Sequence, residues 1–211
     1  MNYDDHRRDY ILGGLRSDAL TSSPLALFEQ WQAQAISAGL KDPTAVVLAT
    51  SEAAGGLWQR IVLLKGVSED GFVFFSNYES NKAQALAADD RASMLFPWNE
   101  LDRQVIVSGH IVKTSAEESD SYFASRPRAS QLGAWASDQS RAIDNRDALL
   151  ASYRHVEQEY ADADIPRPPH WGGYRLVPSQ MEFWQGGEHR LHDRFRYVRS
   201  NGSWSVARLQ P

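Results

Sequence analysis

The densest run of reactive side chains is Gly186-Gly187-Glu188-His189-Arg190-Leu191-His192-Asp193-Arg194. In an extended segment, period-two alternation sets Arg190, His192 and Arg194 on one face, where an ordinary core strand carries apolar groups. Such a face calls for an anion. Two other readings stay open. One is an edge strand whose charges oppose aggregation. The other is a metal site built from Glu188, His189, His192 and Asp193, against which the interleaved arginines would repel a cation; no metal is expected.

Three further segments carry cations in patterns suited to phosphate. Arg60-Ile-Val-Leu-Leu-Lys65 is an apolar strand bracketed by charges. Five extended steps separate them by roughly 17 Å, the reach of one elongated anion, although a core strand with solvated ends reads the same way. Tyr122, Arg126 and Ser130 recur every fourth residue. Pro127 disfavours helical geometry at Arg126, so a helix should end there and present the guanidinium from its last turn between two hydroxyls. Plain polarity at a helix end is the alternative. Ser80-Asn81-Lys82 opens a helix, where backbone amides favour phosphate, though capping alone would explain Ser80. Gln104, Gln139, Ser140 and Trp184 add amide, hydroxyl and indole groups able to read the polar edge of a heteroaromatic ring.

The chain that must position these groups has 211 residues, 42% of them hydrophobic, enough for one sizeable core. Its net charge of -5 argues against general nucleic-acid binding, so any anion site is local. Cysteine is absent, which removes disulfides, thiolate nucleophiles and sulfur-ligated metals. No stretch approaches the roughly 18 apolar residues of a membrane helix, and the charged start is unlike a secretory signal, so a cytoplasmic protein with no membrane partner is expected.

Residues 1–20 read as a mobile arm hinged at Gly13-Gly14, and residues 21–211 as a single domain. Ser23-Pro24 opens a helix whose apolar residues run to Ala35. Runs at Thr44–Thr50, Trp58–Lys65, Phe72–Ser76, Ala92–Trp98 and Val105–Lys113 predict antiparallel strands, with turns at Gly55-Gly56 and Asp70-Gly71. Helices are predicted near 80–88, 116–125 and 144–160, the second opening with the capping pattern Ser115-x-x-Glu118. Final strands follow at Tyr174–Val177, Met181–Trp184, Arg194–Arg199 and Trp204–Leu209. The fold class is α+β, mainly β: a small barrel with peripheral helices.

Taken in order from Arg7 to Pro211, these segments resemble the pyridoxamine 5'-phosphate oxidase family. The resemblance is carried by Glu182-Phe-Trp-Gln-Gly-Gly-Glu-His-Arg-Leu-His-Asp-Arg194, Gln59-Arg-Ile-Val-Leu-Leu-Lys65, Phe96-Pro-Trp98, Ser125-Arg-Pro-Arg128 and Gln131-Leu-Gly-Ala-Trp135. It implies an FMN-binding split β-barrel, a homodimer with FMN at the subunit interface, and oxidation of pyridoxine 5'-phosphate or pyridoxamine 5'-phosphate by O2. By that resemblance Arg60, Lys65, Phe75, Ser76, Lys82, Gln104, Gln139, Ser140, Trp184 and Arg194 would contact FMN. Substrate would meet Arg7, Tyr10, Lys65, Tyr122, Arg126, Ser130, Arg190 and His192, the last two orienting the reacting carbon as the catalytic pair. A non-catalytic FMN- or pyridoxal-phosphate-binding barrel is the alternative.

One position departs from the family's usual Ser-Arg-Lys, because this chain reads Ser80-Asn81-Lys82. A missing charge-assisted hydrogen bond would weaken FMN binding about ten- to a hundredfold unless something compensates. On sequence alone, Asn81→Arg is therefore expected to tighten FMN retention in a fluorescence titration.

Overall fold

The computed structural model describes residues 9–10, 14–52 and 55–211; the expected substrate residue Arg7 and the hinge residue Gly13 lie outside them. Helix α1 (Pro24–Ser37) begins where the sequence predicts and buries Leu25, Leu27, Phe28, Trp31 and Ala35. Ser23 gives no side-chain capping bond, so the preset φ of Pro24 fixes this start. Next come β1 (Ala45–Ser51), β2 (Leu57–Leu63), β3 (Gly66–Ser68), β4 (Gly71–Asn77), α2 (Asn81–Ala88), β5 (Arg91–Trp98) and β6 (Arg103–Lys113). Helices α3 (Ala116–Ser125), α4 (Arg128–Ala136) and α5 (Arg146–Glu159) then lead to β7 (Trp171–Gln185), β8 (Asp193–Ser200) and β9 (Ser203–Leu209).

The strands form one antiparallel sheet in the order β2-β1-β5-β6-β7-β4-β3, with β8 and β9 continuing from β7. At the junction of β2 and β3 the sheet's two ends meet. The Leu64 N–H donates to Thr44 O, and the next amide, of Lys65, donates to Val73 O. These bonds curl the sheet into a split barrel, because one chain segment satisfies its backbone on both edges. The segment predicted as one strand over Trp58–Lys65 therefore stops at Leu63, and Lys65 sits beside β4. The tight β3–β4 turn needs Gly71, whose φ is +130° and whose absent Cβ would fall 2.0 Å from Leu176 O.

Two other elements differ from expectation. The strands predicted at Tyr174–Val177 and Met181–Trp184 are a single β7 of 15 residues. Pro178, which lacks an N–H, falls where the β6–β7 register shifts at Ser108/Gly109, and a bulge tolerates proline where a regular ladder does not. Helix α4 was not predicted. It starts directly after Pro127, so the proline that ends α3 also introduces the next helix.

The main core joins α1 to the inner sheet face. Phe28 is fully buried and meets Phe72 and Phe96 edge-on, with ring centroids 4.9 and 4.8 Å away. A second cluster of Phe123, Leu132, Ile165 and Trp171 packs α3 and α4 against the start of β7. Truncating a fully buried ring costs about 3–5 kcal/mol, so Phe28→Ala is expected to lower unfolding stability by that amount in urea denaturation, with the slope unchanged.

Candidate functional site

A cavity of about 660 Å³ opens between β2, β4 and the α3–α4 corner, lined by Lys65, Phe75, Ser76, Lys82, Tyr122, Arg126, Ser130, Gln139 and Trp171 among others. Among the described residues no carboxylate lines it. Its floor is aromatic: Phe75 stacks on Tyr122 at 3.9 Å and 18°, and on Trp171 at 5.5 Å and 11°. Trp171, which the sequence reading passed over because an isolated Trp has no periodic signature, carries the Arg126 guanidinium 4.5 Å above its ring.

Arg126 behaves as Pro127 requires. It leaves α3 with φ -74° and ψ 148°, so its side chain departs from the helix toward the cavity beside Tyr122 and Ser130. Its Nη1 is buried without a hydrogen-bond partner. An unpaired buried donor costs about 1–3 kcal/mol, more when charged, and an anion in the cavity would remove that cost. Burial lowers the Arg126 pKa, partly offset by Tyr122, but a guanidinium stays cationic.

A second cationic group sits at the start of α2. Lys82 Nζ donates to Gln139 Oε1 at 2.8 Å and to the hydroxyls of Ser76 and Ser80 at 3.0 Å each. Ser80 does not cap the helix with its side chain; its hydroxyl donates to Asn77 O instead. Burial, aided by the nearby positive charge of Arg60, pulls the Lys82 ammonium down to about 8. Arg60 itself donates to Leu48 O and Thr50 Oγ1, which holds its head on the β1 side of β2. Arg60 and Lys65 are thus not the two ends of one uninterrupted strand. Ser140 follows Gln139 in a left-handed turn with φ 73° and does not line the cavity.

The remaining expected residues gather elsewhere. Gln104 on β6 faces Trp184 on β7, and Trp184 faces Arg194 on β8. The His192 ring lies 4.6 Å from Trp184, Tyr10 meets both rings edge-on, and Arg190 lies 5.2 Å from the Tyr10 ring. None of these six lines the large cavity. Trp171 and Trp184 mark the two ends of β7, about 40 Å of strand apart, so one chain keeps the two groups separate.

The segment before Arg194 is not extended, and Arg190, His192 and Arg194 do not alternate along a strand. Glu188–Arg190 form a 3-10 turn with φ 54° at His189 and 64° at Arg190. Gly187 permits it, since a Cβ there would lie 2.4 Å from Leu191 O. Tertiary bonds override the local alternation: the Gly187 N–H donates to His192 Nδ1 at 3.2 Å, and Asp193 accepts from the Leu15 N–H at 2.9 Å and pairs with Arg208. With Asp193 so engaged, the four acid and histidine residues of this turn do not assemble a ligand set, and no metal-ligand cluster occurs among the described residues. Burial first, then Arg190 and Arg194, lower the His192 pKa. With Nδ1 accepting, the neutral ring carries its proton on Nε2. Arg194 is held by buried Glu182, which accepts from Nε and Nη2 at 3.0 and 2.7 Å.

The curled sheet and the cavity lined by Lys65, Lys82 and Arg126 define a split-barrel protein with a cationic cleft. The chain belongs to the pyridoxamine 5'-phosphate oxidase family. The family model "Pyridoxamine 5'-phosphate oxidase" matches residues 33–160, and "Pyridoxine 5'-phosphate oxidase C-terminal dimerisation region" matches 171–211. A pyridoxine/pyridoxamine 5'-phosphate oxidase of Teredinibacter turnerae is 50% identical over 211 residues, all of both chains. One of Paraburkholderia phymatum is 53% identical over 208 residues, 98% of each. Among solved structures, PhzG from Burkholderia lata, in complex with tetrahydrophenazine-1-carboxylic acid, has a TM-score of 0.88 and 33% identity over 93% of this chain and 98% of that one. An FMN-binding relative from Nostoc punctiforme shares the fold, with a TM-score of 0.72 at 17% identity over 91% of this chain and 100% of that one.

The lowered Lys82 pKa predicts that anion binding in this cavity depends on pH. Below about 8 the ammonium is already charged, so affinity is level. Above it, an anion must draw in a proton as it binds, and affinity falls by up to about tenfold per pH unit. Calorimetric titration with sulfate, whose charge is constant across this range, should show this break, and Lys82→Gln should flatten it.

Proposed function

We propose that this chain is an FMN-dependent oxidase that converts pyridoxine 5'-phosphate and pyridoxamine 5'-phosphate to pyridoxal 5'-phosphate. The alcohol reacts as substrate + O2 → aldehyde + H2O2; the amine also takes up water and releases NH3. The single observation that carries the reading is the buried, unpaired Nη1 of Arg126. It lines the same cavity as Lys65, Tyr122 and Ser130, a donor set suited to the three oxygens of a phosphate monoester.

The donor chemistry fits two phosphates. Lys82, Ser76 and Gln139, with Arg60 nearby, would hold the FMN phosphate, and Lys65, Tyr122, Arg126 and Ser130 the substrate phosphate. When bound, FMN supplies the acceptor for a hydride from the substrate C4' carbon and passes the electrons to O2. The chain's own residues bind and orient. The phosphate grip is a remote handle whose binding energy aligns the ring. Arg190 and His192 would orient the C4' end, with His192 Nε2–H as a donor. No side chain is assigned as general base.

Arg190 and His192 reach that cavity only from a second copy of the chain. The family match to a dimerisation region over 171–211 supports a homodimer, as does the exposed apolar face of β2. There Ile61 and Leu63 line the cavity yet are 70% and 45% exposed, and Leu57 continues the same face at 82%. We assign Gln104, Trp184 and Arg194 of one subunit to the flavin held by the other. Ser140 is assigned through its neighbour Gln139, and Tyr10 and Arg7 to closure over the substrate. No helix among the described residues is long and apolar enough to cross a membrane.

The test is direct. The purified protein should be yellow, and pyridoxamine 5'-phosphate in air should yield aldehyde and peroxide. Colour without turnover would mean a binding protein, and turnover of a phenazine carboxylate alone would mean a PhzG-like oxidase. Arg126→Met is expected to weaken substrate binding about a hundredfold, and Arg190→Met to cut turnover more than about tenfold with phosphate affinity nearly unchanged. Refolding the two impaired variants together from denaturant should restore about a quarter of wild-type activity at low substrate, since half the dimers are then hybrids with one intact site of two. No recovery would place each site within one chain.

A further inference from the structure

Position 81 is Asn where the resemblance implies an arginine, but the space beside it holds another guanidinium. Arg141, 60 residues along the chain, donates from Nη2 to Glu79 O at 2.7 Å and from Nη1 to Asn81 Oδ1 at 3.4 Å. The turn that brings it there closes with the Arg141 N–H donating to Asp138 O at 3.0 Å, and Ser140 takes a φ of 73°. The same turn delivers Gln139 to Lys82 Nζ at 2.8 Å. Gln139 and Arg141 therefore clasp consecutive residues, Lys82 and Asn81.

The charge of Arg141 is not neutralised, since no ion pair to it occurs among the described residues. Its two bonds go to a neutral carbonyl and a neutral amide and use two of five N–H donors. Asn81 suits this arrangement because it offers an acceptor where an arginine would repel. We infer that Arg141 supplies the FMN-phosphate guanidinium missing from position 81, so that the site keeps its charge with the cation moved to another element. This rests on the FMN reading above, and it changes the outlook for Asn81→Arg, because the position is already compensated.

Flavin-free protein titrated with FMN and with riboflavin, read by flavin fluorescence quenching, tests it without any turnover. Arg141→Ala should weaken FMN at least about tenfold and riboflavin, which lacks the phosphate, less than about twofold. Asn81→Arg should change FMN affinity little when Arg141 is present and recover most of the loss in the Arg141→Ala background. The inference fails if Arg141→Ala leaves FMN affinity unchanged, if it weakens both flavins equally through collapse of the turn, or if Asn81→Arg tightens FMN as strongly with Arg141 as without. Those results leave the FMN reading intact, whereas parental protein that binds no FMN removes both.

Discussion

Uncompensated positive charge in a confined space governs this molecule. Three cations line one cavity, and no carboxylate lines it among the described residues. One of them buries an N–H with no acceptor, and another is pulled toward neutrality by burial. A protein tolerates such a region when something outside the chain completes it, because an anion converts repulsion and lost solvation into charge-assisted hydrogen bonds. Lys82 has neutral partners in Gln139, Ser76 and Ser80, and no ion pair to any of the three cations occurs among the described residues.

The split barrel anchors backbones while leaving heads free. Pro127 breaks α3 so that Arg126 leaves the helix axis, and Trp171 gives its guanidinium a flat face, which stacks on it without accepting an N–H bond. Where the sheet's ends meet, Lys65 spends its backbone N–H on Val73 and leaves the ammonium in the cavity. Elsewhere acids do claim arginines: Glu182 binds Arg194 and Arg196, and Glu118 binds Arg175. Those pairs fix strands and helices.

A single barrel builds only half of the proposed machinery. The phosphate-gripping cations lie at one end of β7 and the Trp184–His192–Arg190 group at the other. A strand of 15 residues cannot fold back to join its own ends while its backbone stays in the ladder. In the proposed homodimer, a two-fold partner would join them at no conformational cost to the chain.

Much was legible in the sequence by itself. Local rules settle local geometry, so α1, the hairpin strands and the end of α3 at Arg126 follow from proline placement, alternation and turn glycines. The motifs also carried the family, since residue types at fixed spacing survive without coordinates. Tertiary structure alone decided which cations share a cavity. The alternation read across Arg190, His192 and Arg194 fails because bonds to Leu15, Arg208 and within the turn itself outweigh strand propensity. Arg141 stood two residues from Gln139 in plain view, yet its approach to Asn81 depends on a left-handed turn and a contact 60 residues distant. Such convergence is set by register and by backbone conformations that no short window of sequence encodes.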